Sequence, residues 1–132
     1  MDIGIGYERL TAAAGGVRAE AVFLRLEGEG RGIERINAFY RRAAETWLAR
    51  CTGEGALPGR LPEGRYTARL CAAAELEGDV LAVTLSWRLC RRGRPLEETQ
   101  CLHRWQLPRG YLLPQAKASL QGNEQNLKVI KV

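Results

Sequence analysis

The residues best equipped for chemistry are few, and they meet in one stretch. Cys101 and His103 stand two positions apart, so on a β-strand they share a face. A thiol beside an imidazole can form an activated thiolate, or offer two ligands to a metal. Zinc, however, usually takes three or four protein ligands. His103 is the sole histidine of the chain, and no Asp or Glu sits beside the pair on that face. The stretch reads more readily as structure: Cys101 as a small apolar residue, His103 as a hydrogen-bonded group at the core margin.

The other chemical signals are weaker still. The four cysteines, Cys51, Cys71, Cys90 and Cys101, form no C-x-x-C, so the strong zinc and thioredoxin signatures are absent. Cys90 and Cys101 bracket CRRGRPLEETQC like a clamp. The strands expected around them turn Cys90 outward and Cys101 inward, and a disulfide needs Cβ atoms within about 3.5–4.5 Å. Only a bulge near Gly93 or Pro95 would restore the parity. Glu97-Glu98 lies by a turn and Glu27-Gly28-Glu29 in a loop, as solvated charge. GEGRG, Gly28 to Gly32, precedes a helix and so sits where anions can bind, but without the full strand–turn–helix fingerprint it is a loop. There is no G-x-x-x-x-G-K-S/T. The expectation is no catalytic residue, no cofactor and no metal.

The arginines form the one candidate binding surface. Arg88, Arg91, Arg92, Arg94 and Arg104 gather about a single hairpin, with Arg109 beyond it and Arg41-Arg42 on a helix. The flat guanidinium fork suits phosphate and carboxylate. The net charge of +5 agrees with a polyanion partner. It agrees equally with an Arg-rich, Lys-poor composition of the kind a GC-rich genome produces. Trp87 and Trp105 fall on apolar strand faces, which removes them as stacking platforms for single-stranded nucleic acid.

These groups must be held by a sheet and a helix. In RYTARLCAAAELEGDVLAVTLSWRLCRR, the residues Tyr66, Ala68, Leu70, Ala72, Ala74 and Leu76 alternate before a bend. Leu81, Val83, Leu85, Trp87 and Leu89 alternate after it. Gly78 in the first central position of EGDV suits a type II′ hairpin turn. That turn sets Leu76 against Leu81, Ala74 against Val83, Ala72 against Leu85 and Leu70 against Trp87, so every apolar pair shares one face. Thr67, Arg69, Cys71, Thr84, Ser86, Arg88 and Cys90 make the wet face. EETQCLHRWQL supplies a third strand with Cys101, His103, Trp105 and Leu107 on one side. Upstream, GIERINAFYRRAAETWLARC repeats apolar residues at three- and four-residue steps from Ile33 to Cys51, which predicts a helix, ended by Gly53 in a left-handed cap. VRAEAVFLRLEG, Val17 to Gly28, reads as a strand that pairs through AAAGG with a glycine-weakened stretch around Ile3, Ile5 and Tyr7. After Pro114 the sequence suits a short helix with LKVIKV as an edge strand, or equally a loose tail.

The 132 residues therefore predict a single α+β domain: an antiparallel meander with one main helix, about 33–51, on its apolar face. No apolar run reaches the ~20 residues of a membrane helix, and MDIGIGYERLT lacks the marks of a secretory signal. Both point to the cytoplasm. The alternative is an extracytoplasmic domain separated from its signal or anchor.

One resemblance follows from the order of elements. VFLRLEG leads into IERINAFYRRAAETWLARC, a helix opening with Ile36-Asn37. RYTARL, DVLAVTLSWRL and a strand ending HRWQLPRGYLLP come after it. From Ala21 to Pro114 this resembles the domain that forms the extracytoplasmic part of the anti-sigma-V factor and accompanies some peptidoglycan deacetylases. The resemblance implies an α+β domain without catalytic residues of its own. In the anti-sigma factor that domain is a binding surface for a protein, lysozyme. No motif is close enough to carry a binding residue across, and the chain lacks the membrane and sigma-binding parts. The function expected is a non-catalytic domain of a bacterial protein that binds another protein or a small ligand. Arginine-mediated binding of nucleic acid or another anionic polymer is second, and a thiol enzyme using Cys101 and His103 third.

Overall fold

In the computed structural model, residues 2–53 and 60–114 are described. Hydrophobic alternation makes six strands of them, β1 (Gly4–Ala14), β2 (Val17–Glu27), β3 (Tyr66–Glu77), β4 (Val80–Arg91), β5 (Arg94–Gln106) and β6 (Tyr111–Leu112). The three- and four-residue apolar repeat makes one helix, α1 (Arg31–Thr52). The strands lie in sequence order in one sheet. All neighbours are antiparallel except β2 and β3. Those two run parallel because α1 carries the chain from the end of one to the start of the other. The α+β class and, among the described residues, one main helix packed on a sheet are as expected; the parallel join is an addition to the meander. The predicted helix and edge strand after Pro114 lie outside the described residues. Among the described residues, no helix is long and apolar enough to cross a membrane.

The register of the β3–β4 hairpin is the one its apolar pairs require: Leu76 faces Leu81, Ala74 faces Val83, Ala72 faces Leu85 and Leu70 faces Trp87. Gly78 has φ +61 while Asp79 is not in the positive region, which is the pattern of a type II′ turn. Leu70, Leu81, Val83, Leu85 and Leu89 are buried on the inner face; Leu76, at the tip, is 36% exposed. From the helix, Ile33, Ile36, Tyr40, Trp47, Leu48 and Cys51 join them in one core. Each large side chain buried this way contributes roughly 1.5–3 kcal/mol.

The N-terminal hairpin is longer than expected. Gly4 and Gly6 do not shorten β1, which pairs with β2 over all eleven of its residues. The helix stop also differs. Gly53 is extended, with φ −73, not left-handed. Its N–H bonds to the Ala49 carbonyl at 2.6 Å. A Cβ there would stand 2.4 Å from that oxygen, so close approach and not handedness calls for glycine.

The sheet splits between β2 and β3. Their pairing ends at Val22 and Cys71, and beyond it each strand keeps a free row of backbone groups. Side chains take some of them. Asn37 of α1 accepts from the Leu26 N–H through Oδ1 at 2.7 Å and donates from Nδ2 to the Leu26 carbonyl at 2.9 Å. Its amide thus replaces a strand neighbour at that point. Across the split, the Ala74 N–H donates to the Tyr7 hydroxyl at 3.0 Å. At the split the buried side of β2 changes parity: Phe23 and Leu24 are consecutive and both buried, after which Arg25 is exposed and Leu26 buried.

The start of α1 is fixed by a second contact. Gly32 meets the Leu107–Gly110 turn so closely that a Cβ on it would lie 1.9 Å from the Pro108 carbonyl oxygen. Gly110 (φ +74) returns the contact, its own Cβ position 2.7 Å from the Gly32 oxygen.

Candidate functional site

The inner face gathers the residues that looked reactive. β5 points Cys101, His103 and Trp105 toward α1, where they meet Phe39 and Tyr40. The Trp105 Nε1–H donates to the Tyr40 hydroxyl at 2.7 Å, and that hydroxyl lies 2.9 Å from His103 Nδ1. Having accepted from the indole, the hydroxyl has its own proton to give, and Nδ1 is the acceptor in reach. The ring proton then sits on Nε2, which faces Cys101 Sγ at 3.8 Å. In that tautomer the imidazole shows the thiol a donor and not a base. Burial holds the His103 pKa below its ordinary value and so favours the neutral ring. Burial also drives the Tyr40 pKa well above the ordinary phenol range, the Trp105 hydrogen bond opposing in part. Phe39 packs edge-on against Tyr40, Trp105 and His103 with centroids at 5.0, 5.1 and 5.7 Å. Cys101 is 2% exposed. The pair is a link in a part-buried chain, Trp105–Tyr40–His103–Cys101, with Phe39 packed against three of its members.

Cys51 is unlike a catalytic thiol. Burial pushes Cys51 up to about 11. Cys90 and Cys101 do not approach one another. A register shift between Leu89 and Cys90 sets Leu89 against Glu97 and Cys90 against Pro95, leaving Leu96 unopposed. Cys101 faces Leu85, five positions along β4 from Cys90, or roughly 17 Å at strand rise. Among the described residues no three of His, Cys, Asp and Glu group as metal ligands.

The outer face is built differently, and pairing registers lay it out in rows. One row reads Ala13, Arg18, Thr67, Cys90 and Pro95; the next reads Thr11, Glu20, Arg69, Arg88 and Glu98. Arg69 and Arg88 stand directly opposite each other. Each is drawn to a carboxylate, Arg69 to Glu20 at 3.1 Å and Arg88 to Glu98 at 3.0 Å, and Glu20 also takes Arg9 at 3.4 Å. Past the other side of Thr67 and Cys90, beyond the paired ends of β3 and β4, Arg65 and Arg92 line the surface. Small side chains, Ala13, Thr67 and Cys90, make a floor between the long ones. The result is a trough in two joined parts of about 810 and 780 Å³ that share Ala13, Arg18 and Thr67. Five arginines (18, 65, 69, 88 and 92) and one carboxylate, Glu20, line it.

The structure thus redistributes the arginines that the sequence grouped. Arg88 and Arg92 line the trough. Arg91 lies against Tyr66, its guanidinium 5.6 Å from the ring centroid, and donates to the Glu63 carbonyl at 3.3 Å. Arg94 is exposed at the β4–β5 turn. Arg104 faces Ala82, six positions along β4 from Arg88, roughly 20 Å away. Arg18, Arg65 and Arg69 were not singled out. The β3–β4 register alone places Arg69 beside Arg88, whereas Arg18 comes in through the parallel join, for which no local signal exists. No protein-family model matches the chain, and no curated protein is similar to it.

Proposed function

We propose that this is a non-catalytic binding domain whose outer-face trough holds an anionic partner. The observation that carries the reading is the convergence of five arginines over a floor of small side chains, with one carboxylate among the lining residues. Guanidinium forks favour carboxylate or phosphate through paired, charge-assisted hydrogen bonds. The inner face supports the non-catalytic part of the reading. Its imidazole is engaged by Tyr40 and its thiol is buried. The resemblance to the anti-sigma-V factor's extracytoplasmic domain implies a non-catalytic protein-binding surface, and it is the arginines alone that add the anionic character of the partner.

Backbone amide NMR tests it. Titration with citrate and with inorganic phosphate should shift Thr11, Ala13, Thr67 and Arg69 and leave His103 and Trp105 in place. The shifts should weaken with added salt. Shifts scattered over the surface, or centred on Cys101 and His103, would remove the reading.

A further inference from the structure

We propose that the trough takes an extended acidic peptide whose carboxylates recur at every second residue. The inference rests on the anion-binding reading above and adds a spacing to it. Register fixes that spacing. Arg18 lies in the row of Thr67 and Cys90, and Arg69 and Arg88 lie one row to one side of it. Arg65 and Arg92, just past the paired ends of β3 and β4, line the adjoining part of the trough. Rows on one face of a sheet recur every two residues, about 6.7 Å. Cations therefore stand in two successive rows about 6.7 Å apart, with Arg65 and Arg92 beyond the strand ends. A peptide extended along the strands presents its own same-face side chains at that same ~6.7 Å period. Asp or Glu at alternate positions would meet every row, whereas consecutive acids would turn half their charge away.

Two further observations favour a peptide over nucleic acid. Single-strand binding uses exposed aromatic rings as stacking platforms. The one aromatic residue lining the trough is Tyr66, which is 3% exposed and carries Arg91 against its ring. The floor of Ala13, Thr67 and Cys90 also leaves room for a backbone between the arginines.

Two fluorescent octapeptides of identical composition and charge test the spacing. One has the sequence ESESESES, with glutamate and serine alternating; the other, EEEESSSS, gathers the glutamates in one block. Labelled oligo(dT) is a third probe. Fluorescence anisotropy should show the alternating peptide binding about fivefold more tightly than the block, the value of roughly one kcal/mol of better-placed charge. Arg18→Ala should remove most of that preference, because Arg18 has no ion-pair partner among the described residues and its loss frees no carboxylate. Arg104→Ala, outside the trough, should change nothing. Unchanged melting temperatures would show that both variants fold. Equal binding of the two peptides, or tighter binding of oligo(dT), would overturn the peptide proposal while leaving an anion site. Failure of all three probes to bind would overturn the anion reading as well.

Discussion

Asn37→Ala isolates the contact that closes the split sheet. The side chain makes two bonds to one residue, 2.7 and 2.9 Å, in a part-buried position. Each is worth roughly 0.5–1.5 kcal/mol net, and a backbone group left without a partner adds a desolvation cost. The expected loss is about 2–3 kcal/mol, a fall of roughly 8–12 °C in melting temperature for a domain of this size. Asn37→Asp sharpens the test. At neutral pH a carboxylate can accept from the Leu26 N–H but cannot donate to its carbonyl, so it should rescue little. Once protonated it can do both. The folded state therefore raises the pKa of the new carboxyl above the unfolded value of about 3.9. The recovered stability is present below that value and lost as pH rises through the folded one. Urea unfolding at pH 4 and pH 7 should show the gap from wild type narrowing in acid. A loss under about 0.5 kcal/mol for Asn37→Ala, or an Asp variant equal to wild type at pH 7, would refute the claim that this amide stands in for a strand.

Other contacts carry three further predictions. Gly32→Ala improves intrinsic helix propensity by about 1 kcal/mol, yet it should destabilise by about 3 kcal/mol or more, since the new methyl would meet backbone 1.9 Å away; chemical denaturation gives the sign. Arg92 occupies the left-handed region at φ +52, so Arg92→Asn should raise stability by up to about 1 kcal/mol and weaken anion binding in the trough, read by melting and by anisotropy on one sample. His103 has its pKa lowered by burial. Its contribution is present above the unfolded value of about 6.5 and is lost as pH falls through the depressed folded value. Wild type should lose stability between about pH 7.5 and 5 relative to a His103→Gln variant, and parallel profiles would deny that the ring is held neutral.

What could be read in the sequence was local. The β3–β4 register follows from a turn type and the agreement of apolar pairs across it, and the span of α1 follows from periodicity. The features that needed the fold are relations between distant segments. Asn37 sits on an amphipathic helix, where a lone polar residue reads as solvated; its role arises from the free edge of β2. Arg88, Arg91, Arg92, Arg94 and Arg104 are neighbours along the chain, but alternation sends Arg91 to Tyr66 and strand length carries Arg104 to the far end. Arg18 is remote in sequence and arrives beside Thr67 only because a helix crossing makes β2 and β3 parallel.

That crossing ties the trough to the core. Side chains alternate faces along a strand, so a one-residue slip of β2 against β3 would exchange their whole sets. Arg18 would then leave the row of Thr67, and Ala19 and Ala21 would leave the apolar wall formed with Ala68 and Leu70. Burial of that wall forbids the slip, and the contacts of α1 with Leu26 and with the Leu107–Gly110 turn fix where the crossing begins. The placement of cations on the wet face is in this sense a consequence of packing on the dry one. Substitutions on the inner face should accordingly alter anion binding only as far as they alter the fraction folded, whereas substitution of Arg18 should alter binding at constant stability, and of Arg69 or Arg88 with no more than the small loss of an exposed ion pair. An inner-face variant that changed peptide affinity in the fully folded protein would break this separation of the two faces.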